Sequence, residues 1–342
     1  MNHTTLSRDY WPTTGWRTAS PDAHGMDAGQ LAHAHEYMTT AFPSLTSLLV
    51  VRGGHLVFER YADGYGPDVL HNVKSATKSV TSLLTGVAIL TGDLSGVDEP
   101  LGALLPTLLT GNDPRRDIRL ADLLTMRSGL DWAEWKGTTL QMFASGNWLD
   151  FILDRPVAHP PGTFFNYSTG DTQLVAAIVQ EVTGMSLLAY ADLYLFTPLG
   201  IERRTWATDP QGINIGGAEL SLTARGMAKL GFLALNNGRW DGTDILPATW
   251  VEAMTTRHTP AQADSAGSCD LSYGYLWWLR DQGSFASAMA VGYGGNYIYI
   301  VPDLDLVVAV TGDVKNVPKQ FSDNRMLCDF NLVADYIVPA VG

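Results

Sequence analysis

The chain has 342 residues, 46% of them apolar, and carries 22 Lys and Arg against 35 Asp and Glu, a net charge of -13. Such a length fits about two domains or lobes around a large core, and the acidic balance disfavours nucleic acid or an anionic membrane as partner. Two cysteines, Cys269 and Cys328, are too few for a disulfide framework and read as buried thiols; the eight histidines include no His-Glu-x-x-His, which argues against a catalytic zinc.

The opening residues have no apolar run after a basic start, and no later run is long enough to cross a bilayer, so the chain reads as unexported and cytoplasmic. Residues 1 to about 25 read as an irregular arm, followed by a helix from about Asp27 to Ala41. Ser47–Arg52 and His55–Tyr61, joined by Gly53-Gly54, predict a hairpin that starts an antiparallel sheet. From Ser75 to about Gly200 helical patterns dominate, broken by loops rich in Pro and Gly, with one helix over Thr169–Thr183. Further helices are expected over Thr223–Leu235 and Pro247–Met254. Strands return as Tyr273–Trp278, Gly295–Val301 and Leu306–Val310, and a last helix as Asp323–Ile337. The sheet is thus expected from both chain ends, 1–74 and 206–342, with a helical lobe over 75–205 inserted and the active site between them.

Within Asn72-Val73-Lys74-Ser75-Ala76-Thr77-Lys78, a serine and a lysine stand three residues apart where a helix begins. Helical spacing lets Ser75 and Lys78 meet on one face, and Val80, Leu83, Leu84, Val87 and Leu90 continue as a buried stripe. A serine hydroxyl needs a base, and lysine serves when burial or a nearby cation makes it neutral. The same pattern also fits a serine that merely caps the helix.

Two further segments offer polar groups. Tyr167, in Asn166-Tyr167-Ser168-Thr169-Gly170-Asp171, is a candidate general base and acid beside Lys78, or else a core tyrosine with a satisfied hydroxyl. The glycines of Ala290-Val291-Gly292-Tyr293-Gly294-Gly295-Asn296 precede a strand; they allow close approach of substrate or backbone, or form a bulge.

These segments, in this order, resemble the serine β-lactamase and penicillin-recognising superfamily, in its class C-like esterase and 6-aminohexanoate-dimer hydrolase branch, from about Trp16 to Val338. The resemblance implies a β-lactamase/transpeptidase-like α/β fold of α+β type: an antiparallel sheet flanked by helices, with an all-helical lobe inserted. It implies Ser75 as nucleophile, Lys78 as its proton partner, Tyr167 opening the Tyr-x-Asn element, and an oxyanion hole from the N–H groups of Ser75 and Tyr293. Thr169 stands where β-lactamases of this class carry Asn, and Ala290-Val291-Gly292 replaces Lys-Thr-Gly. Both departures favour an esterase or amidase acting on a small molecule without cofactor, over a β-lactamase or D-amino-acid peptidase; a silent scaffold of the same fold is disfavoured by retention of all three polar residues. Trp132, Trp135, Trp148 and Phe164 could line an acyl pocket. Thr169, Gly292, Asp131 and Trp132 are candidate substrate contacts, Asp131 for an amine. No Gly-x-Ser-x-Gly occurs, which excludes an α/β-hydrolase nucleophile elbow.

Overall fold

Leu45–Arg52 (β1) turns back into His55–Tyr61 (β2) through Gly53 and Gly54, both at the positive φ that a tight hairpin turn demands. The structure, a computed structural model, describes residues 8–261, 271–282, 285–318 and 331–342. Three short strands follow in the small sheet β3 (His71–Asn72), β4 (Arg204–Trp206) and β5 (Leu220–Leu222), in the order β3-β5-β4, and two more, β6 (Arg239–Trp240) and β7 (Thr243–Asp244), form a hairpin. The remaining strands are β8 (Thr259–Ala261), β9 (Leu271–Tyr273), β10 (Trp278–Gln282), β11 (Phe285–Gly292), β12 (Asn296–Val301) and β13 (Leu306–Gly312). With β1 and β2 they make an eight-stranded antiparallel sheet in the order β2-β1-β13-β12-β11-β10-β9-β8. The closing pair of the two chain ends aligns Leu48 with Val310 and Val50 with Val308.

The helices are α1 (Ala28–Ala41), α2 (Ala76–Thr91), α3 (Leu101–Leu104), α4 (Leu120–Leu124), α5 (Thr138–Ala144), α6 (Trp148–Leu153), α7 (Thr169–Thr183), α8 (Leu187–Ala191), α9 (Ala224–Leu235) and α10 (Ala248–Met254). Every residue of β12 and β13 is buried, so both sheet faces are covered. One cover is α9: a Cβ on its Gly231 would fall 2.7 Å from Ile298 and from Val307. Phe58 is opposite Val50, hence on the other face, where His35 of α1 meets it. Stacking of Tyr37 on Tyr336 ties α1 to the C-terminal helical segment Leu332–Ile337. No single helix among the described residues is long and apolar enough to cross a membrane.

The structure departs from the sequence reading in two strands. The run Tyr273–Trp278, expected as one strand, is two strand ends around a turn: Gly274 donates to the Trp277 carbonyl, Leu276 has φ 60°, and the Leu276 N–H is drawn to the Leu124 carbonyl instead. Conversely, β11 is a full strand that carries Ala286, Ser287, Ala288 and Ala290, residues of weak strand preference held by ladders to β10 and β12. Of the expected helix over Asp323–Ile337, the part before 331 lies outside the described residues, as do Cys269 and Cys328.

Candidate active site

Three short segments converge behind the N-terminus of α2. Val73 donates to the Leu220 carbonyl at 2.9 Å, tying the end of β3 to the small sheet. The chain then passes through Lys74 at φ 49°, a conformation unfavourable for a residue with a Cβ. Lys74 is held there by its N–H donating to Asn72 Oδ1 at 3.0 Å and its Nζ donating to Glu219 Oε1 at 2.7 Å. Ser75 comes next, in helical conformation at the N-cap position, and its side chain makes no capping hydrogen bond. The hydroxyl is thereby free of the structural task that the sequence pattern left open.

Lys78 is one of the largest fully buried side chains in the chain. Its Nζ lies 3.2 Å from Ser75 Oγ, 2.9 Å from Thr169 Oγ1 and 3.0 Å from the Gly217 carbonyl oxygen. Burial pushes its pKa down to about 8, against an upward pull from Glu134. A substantial neutral fraction at pH 8 is what a lysine base requires.

The Tyr167 phenol faces the side chains of Ser75 and Trp278, which draw its pKa down. Its ring stacks with those of Trp135, at a centroid distance of 5.9 Å, and Trp278, at 5.3 Å. Lys78 Nζ sits over the ring face, 5.0 Å from its centroid. Burial and the Glu134 carboxylate nevertheless raise the phenol well above its ordinary pKa. Of the two roles expected for Tyr167, general base and acid, the raised pKa favours the acid: the side chain rests as a phenol, able to relay and donate a proton, while Lys78 is the stronger candidate base.

Thr169, expected as a substrate contact, is buried with its hydroxyl between Lys78 and Glu134, 2.6 Å from Glu134 Oε1. Trp132 is likewise buried; its ring lies against Gly170, where a Cβ would come within 2.7 Å, its indole N–H donates to Glu134 Oε2, and it contributes to the lining of the cleft in front of Tyr167. Asp131 is exposed and, with Trp135, Lys136, His159 and Phe164, lines a cleft of about 520 Å³ that reaches Tyr167. Its wall includes Trp135 and Phe164, 52% and 48% exposed, an apolar surface available to a ligand. Trp148 is buried and stacked on Phe143, a packing role.

At the third motif, β10 begins at Trp278 opposite Met289, so Ala290–Gly292 at the end of β11 are paired only with β12. The other edge of these residues is turned to α2: a Cβ on Gly292 would lie 2.0 Å from the Val73 carbonyl oxygen and 3.2 Å from the Ala76 nitrogen. Gly292 is thus a point of close backbone approach to the turn that carries Ser75. Tyr293, the next residue, is 43% exposed in the turn to β12. Among the described residues neither its N–H nor that of Ser75 donates a hydrogen bond. Gly292→Ala is expected to destabilise the fold by roughly 1–3 kcal/mol through overpacking and to displace the turn that carries Ser75. Urea unfolding checks this, with Gly96→Ala, whose Cβ would meet nothing within 4 Å, as the control.

Glu134, Gly217 and Trp278 belong to the cluster and escaped the sequence reading. A glycine pair at 216–217 and a carboxylate between two tryptophans, Trp132-Ala133-Glu134-Trp135, were the available signals.

An antiparallel sheet with a helix beside it that begins on a serine and buries a lysine one turn later defines the serine β-lactamase and penicillin-recognising class. The Beta-lactamase family model matches residues 32–326, and the chain belongs to that family. It is 23% identical to the 6-aminohexanoate-dimer hydrolase of Paenarthrobacter ureafaciens over 283 residues, 77% of this chain and 71% of that protein. Among solved structures, a Bacillus anthracis protein provisionally named a 6-aminohexanoate-dimer hydrolase superposes with a TM-score of 0.75 at 22% identity, covering 99% of this chain and 88% of that one. EstCE1, a hydrolase with promiscuous acyltransferase activity, superposes with a TM-score of 0.73 at 15% identity, covering 90% and 98%.

Proposed function

We propose that the protein is a serine hydrolase that cleaves small ester or amide bonds through an acyl-enzyme on Ser75. The observation that carries this reading is the 3.2 Å approach of a buried, low-pKa Lys78 to a serine hydroxyl with no capping role. In the first step Ser75 Oγ attacks the carbonyl carbon as its proton passes to neutral Lys78. The bond to the leaving group then breaks; the leaving atom takes the Tyr167 proton, and Lys78 refills the phenol. Water next attacks the acyl carbon, gives its proton to the same pair, and Ser75 leaves reprotonated. The two N–H groups without acceptors, of Ser75 and Tyr293, suit the developing oxyanion. The names of the hydrolase relatives agree with acyl transfer to water.

Several observations favour esters and linear amides over β-lactams. The end of β11 offers Ala290, Val291 and Gly292, hence neither a cation nor a hydroxyl for a drug carboxylate, and Thr169 is turned inward to Lys78. A carboxylate without a charged partner forgoes a hydrogen bond worth roughly 1.5–3 kcal/mol. The test is kcat/KM on short-chain nitrophenyl esters, linear amides and a chromogenic cephalosporin with one purified sample. At least one ester or amide should be turned over more efficiently than the cephalosporin; the reverse order against every member of the panel would restore a β-lactamase assignment.

A further inference from the structure

We propose that Glu134 is a positioning residue that aims the lone pair of Lys78 at Ser75, acting through the Thr169 hydroxyl; this rests on the hydrolase reading above. Four donors converge on the Glu134 carboxylate: the Thr169 N–H at 3.0 Å, the Thr169 hydroxyl at 2.6 Å, the Trp132 indole at 2.6 Å and the Thr139 hydroxyl at 2.7 Å. An ionised carboxylate only accepts. The Thr169 proton is therefore committed to Glu134, and toward Lys78 the threonine oxygen can only accept. The Gly217 carbonyl can only accept as well. Neutral Lys78 has two N–H groups and one lone pair; with both N–H groups taken by Thr169 and Gly217, the lone pair is left for the third direction, that of Ser75 Oγ.

The chain enforces the arrangement sterically. A Cβ on Gly217 would stand 2.8 Å from the Thr169 methyl and 3.2 Å from Lys78 Nζ, so only glycine brings its carbonyl this near without displacing the pair. The titratable groups around Lys78 are few. Glu134 comes from the turn before α5, Tyr167 from the loop before α7, Asp171 from α7 and Tyr273 from β9; Tyr297 of β12 is buried on the sheet. Asp171 is pushed up to about 7 by burial and engages Ser128, and Lys74 and Glu219 pair with each other beyond Ser75. Of these groups, the Glu134 carboxylate raises the Lys78 pKa.

Loss of the Glu134 charge removes an upward pull, so Lys78 stays neutral to lower pH. A glutamine there also brings an N–H₂ group that can donate to the Thr169 oxygen and turn the threonine proton toward the lysine lone pair. The measurement is the rate of Ser75 labelling by a fluorophosphonate across pH, in full-length wild type and Glu134→Gln, each checked for folding by circular dichroism. The variant should label about ten- to a hundredfold more slowly at its optimum, with the acid limb displaced downward by about one pH unit. Labelling at the wild-type rate at the variant's own optimum overturns the proposal, because the displaced limb by itself reports only the lost charge. Thr169→Val, which keeps Glu134 and its other donors, should slow labelling comparably, and Thr169→Ser should recover most of it. Labelling of Thr169→Val at the wild-type rate overturns the relay even if Glu134→Gln fails to fold. Absence of Ser75 labelling in the wild type overturns the hydrolase reading itself, and this inference with it.

Discussion

Ser75→Ala is expected to abolish both hydrolysis and stoichiometric labelling by a fluorophosphonate, with no loss of folded structure. The side chain makes no capping bond, so its removal leaves the start of α2 without a lost partner, and the neighbouring backbone is anchored independently through Val73 and Lys74. Intact-mass analysis decides the matter: one label per chain in the alanine variant means that the nucleophile is elsewhere.

The second large effect belongs to the proton-handling pair. Lys78→Ala removes the group that touches Ser75, Thr169 and Gly217 together, and Tyr167→Phe removes the phenol that faces Ser75. Each change is expected to lower kcat by about three or more powers of ten, and the double variant to be scarcely worse than the more damaged single one, because groups that act as a unit do not contribute additively. Single-turnover kinetics on one ester checks this. If the two losses multiply in the double variant, the residues work independently and the shared proton path is wrong.

The wild-type profile should rise as pH increases toward about 8, since burial holds Lys78 near that value and the neutral amine is the base. Tyr167 supplies no ionisation in the same window, its phenol being raised beyond the range of an ordinary assay.

The hairpin around Gly53-Gly54 and the helix α7, which runs over Thr169–Thr183 as expected, were legible because a local signal settled each: turn glycines between β-branched runs, and Ser168 capping an apolar period. The proximity of Ser75 and Lys78 was legible for the same reason, helical geometry fixing it within four residues. β11 was not, because alanine and serine carry little intrinsic strand preference and its identity comes from neighbours on both sides. Glu134 was hidden for a related reason. Its connection to Lys78 runs through Thr169, and the pieces come from three segments that only the tertiary fold assembles. The proton state of Tyr167 likewise depends on burial and on Glu134, neither of which sequence spacing contains.

The pairing of β1 with β13 has a consequence for how the molecule is made. The β1–β2 hairpin can close soon after its synthesis, yet the second edge of β1 has no ladder partner until β13 emerges near the C-terminal end of the chain. Pairings so distant in sequence slow folding, because the entropy of closing the loop is lost before the contact repays it. During that interval Leu48, Leu49, Val50 and Val51, all wholly buried in the finished sheet, stand beside an open backbone edge. The nascent chain is therefore most exposed to misassociation at its very first strand, and a chain truncated before β13 would keep that edge permanently open to pairing with a second copy.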